Sequence, residues 1–118
     1  MSEYVEFVRE ILEPLGDVRA RRMFGGCGLY HQDLMFALVA DGALYLKADE
    51  QSAQCFRDRN LGPFAYTKNG KATKMSYYAA PEEIFDDPDA AMLWATRAYE
   101  AAVRARRRKE KAGKAGPE

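Results

Sequence analysis

Two dipeptides do most to limit what this chain can fold into. Asp41-Gly42 separates LMFALVA from ALYLKA, and Asn69-Gly70 separates GPFAYTK from KATKMSYYAA. Both dipeptides accept the paired positive-φ conformation of a two-residue hairpin, and the apolar and aromatic runs beside them are what such a turn joins. Antiparallel pairing is therefore expected twice. Upstream, VRARRMF and GLY, with HQD before LMFALVA, extend the first hairpin into a four-strand meander.

Helical signals frame these strands. Ser2 can cap a first helix in which Tyr4, Val5, Phe7, Val8, Ile11 and Leu12 recur with helical period, and Pro14 and Gly16 end it. Asp49 stands where an N-cap belongs, before EQSAQCFRDR, which reads as a short helix burying Ala53, Cys55 and Phe56. Asp87-Pro88-Asp89 starts a last helix: Asp caps, Pro suits the first helical position and the second Asp complements the dipole. Its stripe is Ala91, Trp94, Ala95, Ala98 and Ala102. The order is helix, strands, helix, two strands, helix, which predicts an α+β fold of two layers, an antiparallel sheet with helices packed on one face. One domain over residues 1–112 and a flexible tail over 113–118 are expected.

A chain of 118 residues buries enough surface to fold without a disulfide or metal. Cys27 and Cys55 form no CxxC pair, and His31 is the sole histidine, so zinc and Ser-His-Asp chemistry lack their residues. The acidic start, MSEYVEF, and the shortness of the longest apolar run predict a cytoplasmic protein with no membrane segment. Edge strands of a meander can pair with a second copy, so a homodimer fits the pattern.

The glycine-rich stretch GGCG at 25–28 is followed by strand and turn residues, not by a helix, so it reads as a tight corner instead of a phosphate loop. Strand alternation puts Arg19 and Arg21 on one face and Arg22 on the other, beside Val18, Ala20 and Phe24, where it needs a carboxylate or a place at the rim. Cys27 reads as an inert thiol. Glu82, Glu83, Asp86, Asp87 and Asp89 could hold a hard cation, but a helix start explains them more simply. No catalytic residue, cofactor or metal is predicted.

Charge is unevenly spread. From Arg97 onward 8 Lys or Arg face 3 Glu, so this end carries +5 and the rest −5. Arg104, Arg106, Arg107, Arg108, Lys109, Lys111 and Lys114 form a basic helix end that can contact nucleic-acid phosphates weakly, although a solvated helix end accounts for it too. No aromatic residue there could stack on bases.

ARRMFGGCGLY, MFALVADGALYLK, KMSYY with nearby Pro81, and the DPD-led helix with LWATRAYEAA together resemble the N-terminal domain of the TfoX/Sxy proteins, bacterial regulators of natural competence. The most specific block is Arg22, Met23, Phe24, Gly25 and Gly26. The resemblance spans about residues 4 to 103 and implies a non-enzymatic α+β domain in transcriptional regulation, partnered by an activator of the cyclic-AMP receptor type. It also implies a stand-alone copy, since longer members carry a second, helical domain. A different class of function, a small-molecule-binding domain or small enzyme, would use a pocket near Cys27 and His31.

Overall fold

Ser2 Oγ accepts the Val5 amide at 3.2 Å and opens α1, Glu3–Leu12, which turns Val5, Val8 and Leu12 inward. These details come from a computed structural model that describes residues 2–23, 25–68 and 70–114, with the backbone alone at 66–68, 72–74 and 112–114. A 3-10 turn at Glu13–Leu15 ends at Gly16. The meander follows as β1 (Arg19–Met23), β2 (Gly26–His31), β3 (Leu34–Ala40) and β4 (Ala43–Lys47). Then come α2 (Ala53–Arg57), the hairpin β5 (Pro63–Lys68) and β6 (Lys71–Ala79), and α3 (Pro88–Lys114).

The strand order is β1-β2-β3-β4-β6-β5, antiparallel at every pair. The expected α+β architecture is present, with α1 and α3 covering one face of the sheet. The β3–β4 turn has Asp41 at φ 51° and Gly42 at φ 72°, the two positive values that Asp-Gly announces. A second such turn is made by Gln32 (φ 48°) and Asp33 (φ 65°), residues that carry no glycine signal. Asn69, of the other expected hairpin turn, lies outside the described residues, as does the chain beyond Lys114.

The pairing of β2 with β3 shifts between Leu29 and Tyr30, which face Ala37 and Met35 respectively. Phe36 is the extra residue, and this bulge lets Phe36 and Ala37 both join the helix-side core while Met35 turns to the other face. That core also holds Val8, Leu12, Leu29, Leu46, Phe56 and Ile84, all essentially inaccessible. The alanine stripe of α3 is buried as expected, with Ala101 added, and its small side chains bring the helix close to β3 and β4. Trp94 meets Phe56 edge-on, with ring centroids 5.1 Å apart.

Two local expectations need correction. Cys55 is only half-buried, whereas Ala53 and Phe56 are the buried residues of α2. Asp49 does not cap α2 itself, which begins at Ala53 with Ser52 before it. Its carboxylate instead closes the turn ahead of the helix, accepting the Ser52 amide at 3.0 Å while Ser52 Oγ accepts the Asp49 amide at 3.0 Å. The same carboxylate receives Arg104 of α3 through two hydrogen bonds, of 2.6 and 3.1 Å. Asp49 is a tie between α2 and α3 because its side chain, 5% exposed, sits where both arrive.

The Arg104 hydrogen bond, more than any other contact, holds the Asp49 carboxyl down at about 2, against burial that pushes it up. A depressed carboxylate stabilises the fold fully above its unfolded value near 4, and that contribution fades as pH falls from there through 2. Asp49→Asn is expected to cost about 2–3 kcal/mol at neutral pH, since it leaves Arg104 without its counter-charge. Urea unfolding should show the wild-type advantage over the variant shrinking from pH 4 to pH 2. A pH-independent gap would remove the charge from the explanation. Gly26→Ala is expected to lower stability by about 1–3 kcal/mol, because a Cβ there would collide with the Val39 carbonyl oxygen; an unchanged melting midpoint would refute that contact.

Candidate functional site

The block Arg22–Gly26 is the corner between β1 and β2, and it reaches both faces of the sheet. Gly25 takes φ 74°, which a side chain would resist. Arg22 is exposed at the rim on the helix side, and among the described residues no carboxylate lies within ion-pair distance of it. Of the two expected settings for this arginine, the rim is the one adopted. Met23 turns to the opposite face, and Phe24 lies outside the described residues.

Beside this corner a cavity of about 430 Å³ opens between the start of α1, the β1–β2 corner and the β3–β4 turn, lined by Tyr4, Val5, Arg22, Gly26, Cys27 and Asp41 among others. Cys27 is 4% exposed. Burial pushes its thiol up, against the pull of the Arg22 guanidinium, so it is a poor nucleophile near neutrality. His31 is not at this cavity. Four positions along β2, about 13 Å away at strand rise, its Nδ1 sits 2.9 Å from the Asp17 carbonyl oxygen and its ring meets Tyr99 edge-on at 4.9 Å. The pocket expected near both Cys27 and His31 is therefore two separate places, because an extended strand holds the two residues apart.

Among the described residues no helix covers the other face of the sheet. Leu38, Ala40 and Tyr77 are its buried centre, and Met23, Met35, Tyr45, Phe64 and Met75 surround them, partly exposed. The Tyr45 and Phe64 rings meet tilted by 59°, with centroids 5.0 Å apart, and the Tyr77 hydroxyl donates to the Met35 carbonyl at 3.3 Å. Burial drives the Tyr77 phenol well above its ordinary value. Along the β1 margin lie Arg19, paired with Asp17 at 3.1 Å, and Arg21, its guanidinium 5.5 Å from the Tyr30 ring.

The basic end of α3 divides by helical face. Arg104 and Arg108, one turn apart, both point at Asp49, at 2.6 and 3.4 Å. Arg106 lies 3.7 Å from Glu110, while Arg107, Lys109 and Lys111 are exposed with no ion pair among the described residues. The acidic run is used structurally: Glu83 takes Arg59 at 2.6 Å, and Asp87 Oδ1 accepts the amides of Asp89 and Ala90 at the start of α3. Among the described residues no group of three or more His, Cys, Asp or Glu side chains could hold a metal ion. No described helix is long and apolar enough to cross a membrane.

Sequence reasoning did not single out Lys47 or Arg57, which the fold brings beside Arg108. They are ten positions apart on different elements, so no spacing rule links them. Of these three residues the sequence reading singled out Arg108, as part of the basic end of α3.

Comparison with known proteins gives a consistent answer. The chain is 38% identical over 78 residues to Protein Sxy of Escherichia coli, covering 65% of this chain and 37% of that protein. It is 31% identical over 93 residues to DNA transformation protein TfoX1 of Aliivibrio fischeri, covering 79% of this chain and 44% of the relative. The chain thus spans about two-fifths of the length of the curated relatives it matches. Residues 10–102 match the family model of the TfoX N-terminal domain, and the chain belongs to that family.

Proposed function

We propose that this chain is a non-enzymatic transcriptional co-regulator, cytoplasmic, acting through protein contacts with DNA as an auxiliary contact. The observation that carries the reading is the uncovered sheet face of Met35, Tyr45, Phe64, Met75 and their neighbours. Methionine side chains are flexible enough to repack against a partner, and the aromatic rings supply contact area at low conformational cost. The partner is an activator of the cyclic-AMP receptor type, the kind the family resemblance implies. It meets this face with an apolar patch and places carboxylates against the Arg19 and Arg21 margin. The name of the relative from Aliivibrio fischeri supports a setting in DNA transformation. Separation of Cys27 from His31 and the raised Cys27 thiol support the absence of catalysis.

A second reading, a small-molecule-binding domain, draws on the cavity at Arg22 and Cys27 alone. A metabolite panel in thermal shift separates the two, since a ligand raises the melting temperature by mass action.

Purified activator, with and without cyclic AMP and with nuclease present, should bind the immobilised chain. Met35→Glu with Tyr45→Glu should weaken that binding at least tenfold, about 1.4 kcal/mol. Arg21→Glu, at the exposed margin, should weaken it less and leave the circular dichroism unchanged. Absence of binding in every condition would overturn the co-regulator reading, and binding indifferent to all three substitutions would move the contact off this face.

A further inference from the structure

Where β4 leaves the sheet for α2, a cleft of about 340 Å³ is lined by Lys47, Arg57, Ser76, Tyr78 and Arg108, with Asp49 and Glu50 beside them. Lys47 Nζ donates to Ser76 Oγ at 2.6 Å, and Arg57 Nη2 lies 3.5 Å from the Tyr78 hydroxyl. Asp49 is the natural counter-charge, yet its carboxylate is already committed to Arg104 and the Ser52 turn, and Arg108 reaches it only at 3.4 Å. Among the described residues no carboxylate lies within ion-pair distance of Lys47 or Arg57. Glu50 is exposed at the rim.

Three cations and two hydroxyl groups thus border one concave space, whose acids are Asp49, already engaged by Arg104 and the Ser52 turn, and the exposed Glu50. Burial pushes the Lys47 ammonium down; the Asp49 carboxylate opposes that, and the Arg108 guanidinium adds a smaller push in the same direction as burial. A tetrahedral anion in the cleft would answer all three, taking a guanidinium fork from Arg57 or Arg108, a point charge from Lys47 and hydrogen bonds from Ser76 and Tyr78. Arg108 also borders a second cleft of about 530 Å³, with Arg104, Arg107 and Lys111 as its other cations and Glu110 as its acid. The positive surface therefore continues past the first seat.

We propose that the Lys47–Arg57–Arg108 cleft seats a phosphate group, carried either by a nucleic-acid backbone or by a small phosphorylated molecule. In the first case it deepens the auxiliary DNA contact proposed above and rests on it. In the second it stands apart from that reading.

The test is a titration of the isotope-labelled chain with inorganic phosphate at constant ionic strength, followed by amide chemical shifts, alongside anisotropy of a fluorescent duplex at low salt. Saturable shifts are expected at residues 47–50, 57, 76–78 and 108. Lys47→Gln with Arg57→Gln should weaken phosphate binding at least tenfold, whereas Arg106→Gln, outside the cleft, should not change it. If duplex affinity falls in the same double variant, the phosphate is that of a nucleic acid; if it does not, the ligand is a small phosphorylated molecule. Wild-type shifts that fail to saturate, or that arise elsewhere, overturn the seat without any variant having to fold. Activator binding by the wild type is measured separately and needs no cleft residue, so failure of the co-regulator reading leaves a different trace.

Discussion

A single carboxylate ties the turn after β4 to the last helix of this fold. The chain leaves the sheet at Lys47 and must reverse before β5, and Asp49 closes that reversal through its paired hydrogen bonds with Ser52. Buried there, the carboxylate requires a cation, and Arg104 supplies it from 55 residues away, fixing the rotation of α3 over the sheet. The alanines of the α3 stripe interlock weakly, so the rotation of the helix is set by this ion pair together with Trp94 against Phe56 and Tyr99 against His31. The ion pair does not have to be strongly stabilising to matter. Its contribution is to make one seating of α3 better than its neighbours.

That seating decides what the rest of the surface offers. With Arg104 spent on Asp49, the following turn brings Arg108 over the end of β4 and β6, against Lys47 and Arg57, while Arg107, Lys109 and Lys111 remain in solvent. The basic end of α3 is therefore part anchor and part free charge. On the other side of the sheet, α1 and α3 leave Met35, Tyr45, Phe64 and Met75 uncovered, and the β2–β3 bulge makes that face by sending Phe36 to the helices and Met35 away from them. Edge strand β1 carries Arg19, Arg21 and Arg22, and β5 begins at Pro63; charge and proline both discourage edge-to-edge pairing.

The elements and their order were legible because their signals are local. Ser2, Asp41-Gly42, Asp87-Pro88 and the alanine stripe each act within a turn or two of chain, and each appears where its chemistry predicts. The break at HQD was legible as a turn, although its paired positive φ at Gln32 and Asp33 carries no glycine signal; the Phe36 bulge was not, since it is imposed by register between strands. Asp49 was read as a helix cap because Asp before a polar-apolar pattern usually is one. Its distant partner has no signature in spacing. The Lys47, Arg57 and Arg108 cluster was hidden for the same reason, and Cys27 and His31 looked like neighbours only because four residues of strand look short when written as letters.

The corner at Arg22–Gly26 shows how a family motif can divide between folding and contact. Gly25 is required by its positive φ, and Gly26 by the Val39 carbonyl that passes over it, so both glycines are explained without a ligand. Arg22 and Met23 are not demanded by the corner in this way. One stands exposed at the cavity rim on the helix side, and the other enters the apolar face on the opposite side. The glycines fix a sharp return between β1 and β2, and that return holds these two side chains on opposite surfaces within one residue of each other. Among the described residues of this corner, a partner would therefore meet two separate surfaces, the cavity rim at Arg22 and the apolar face at Met23.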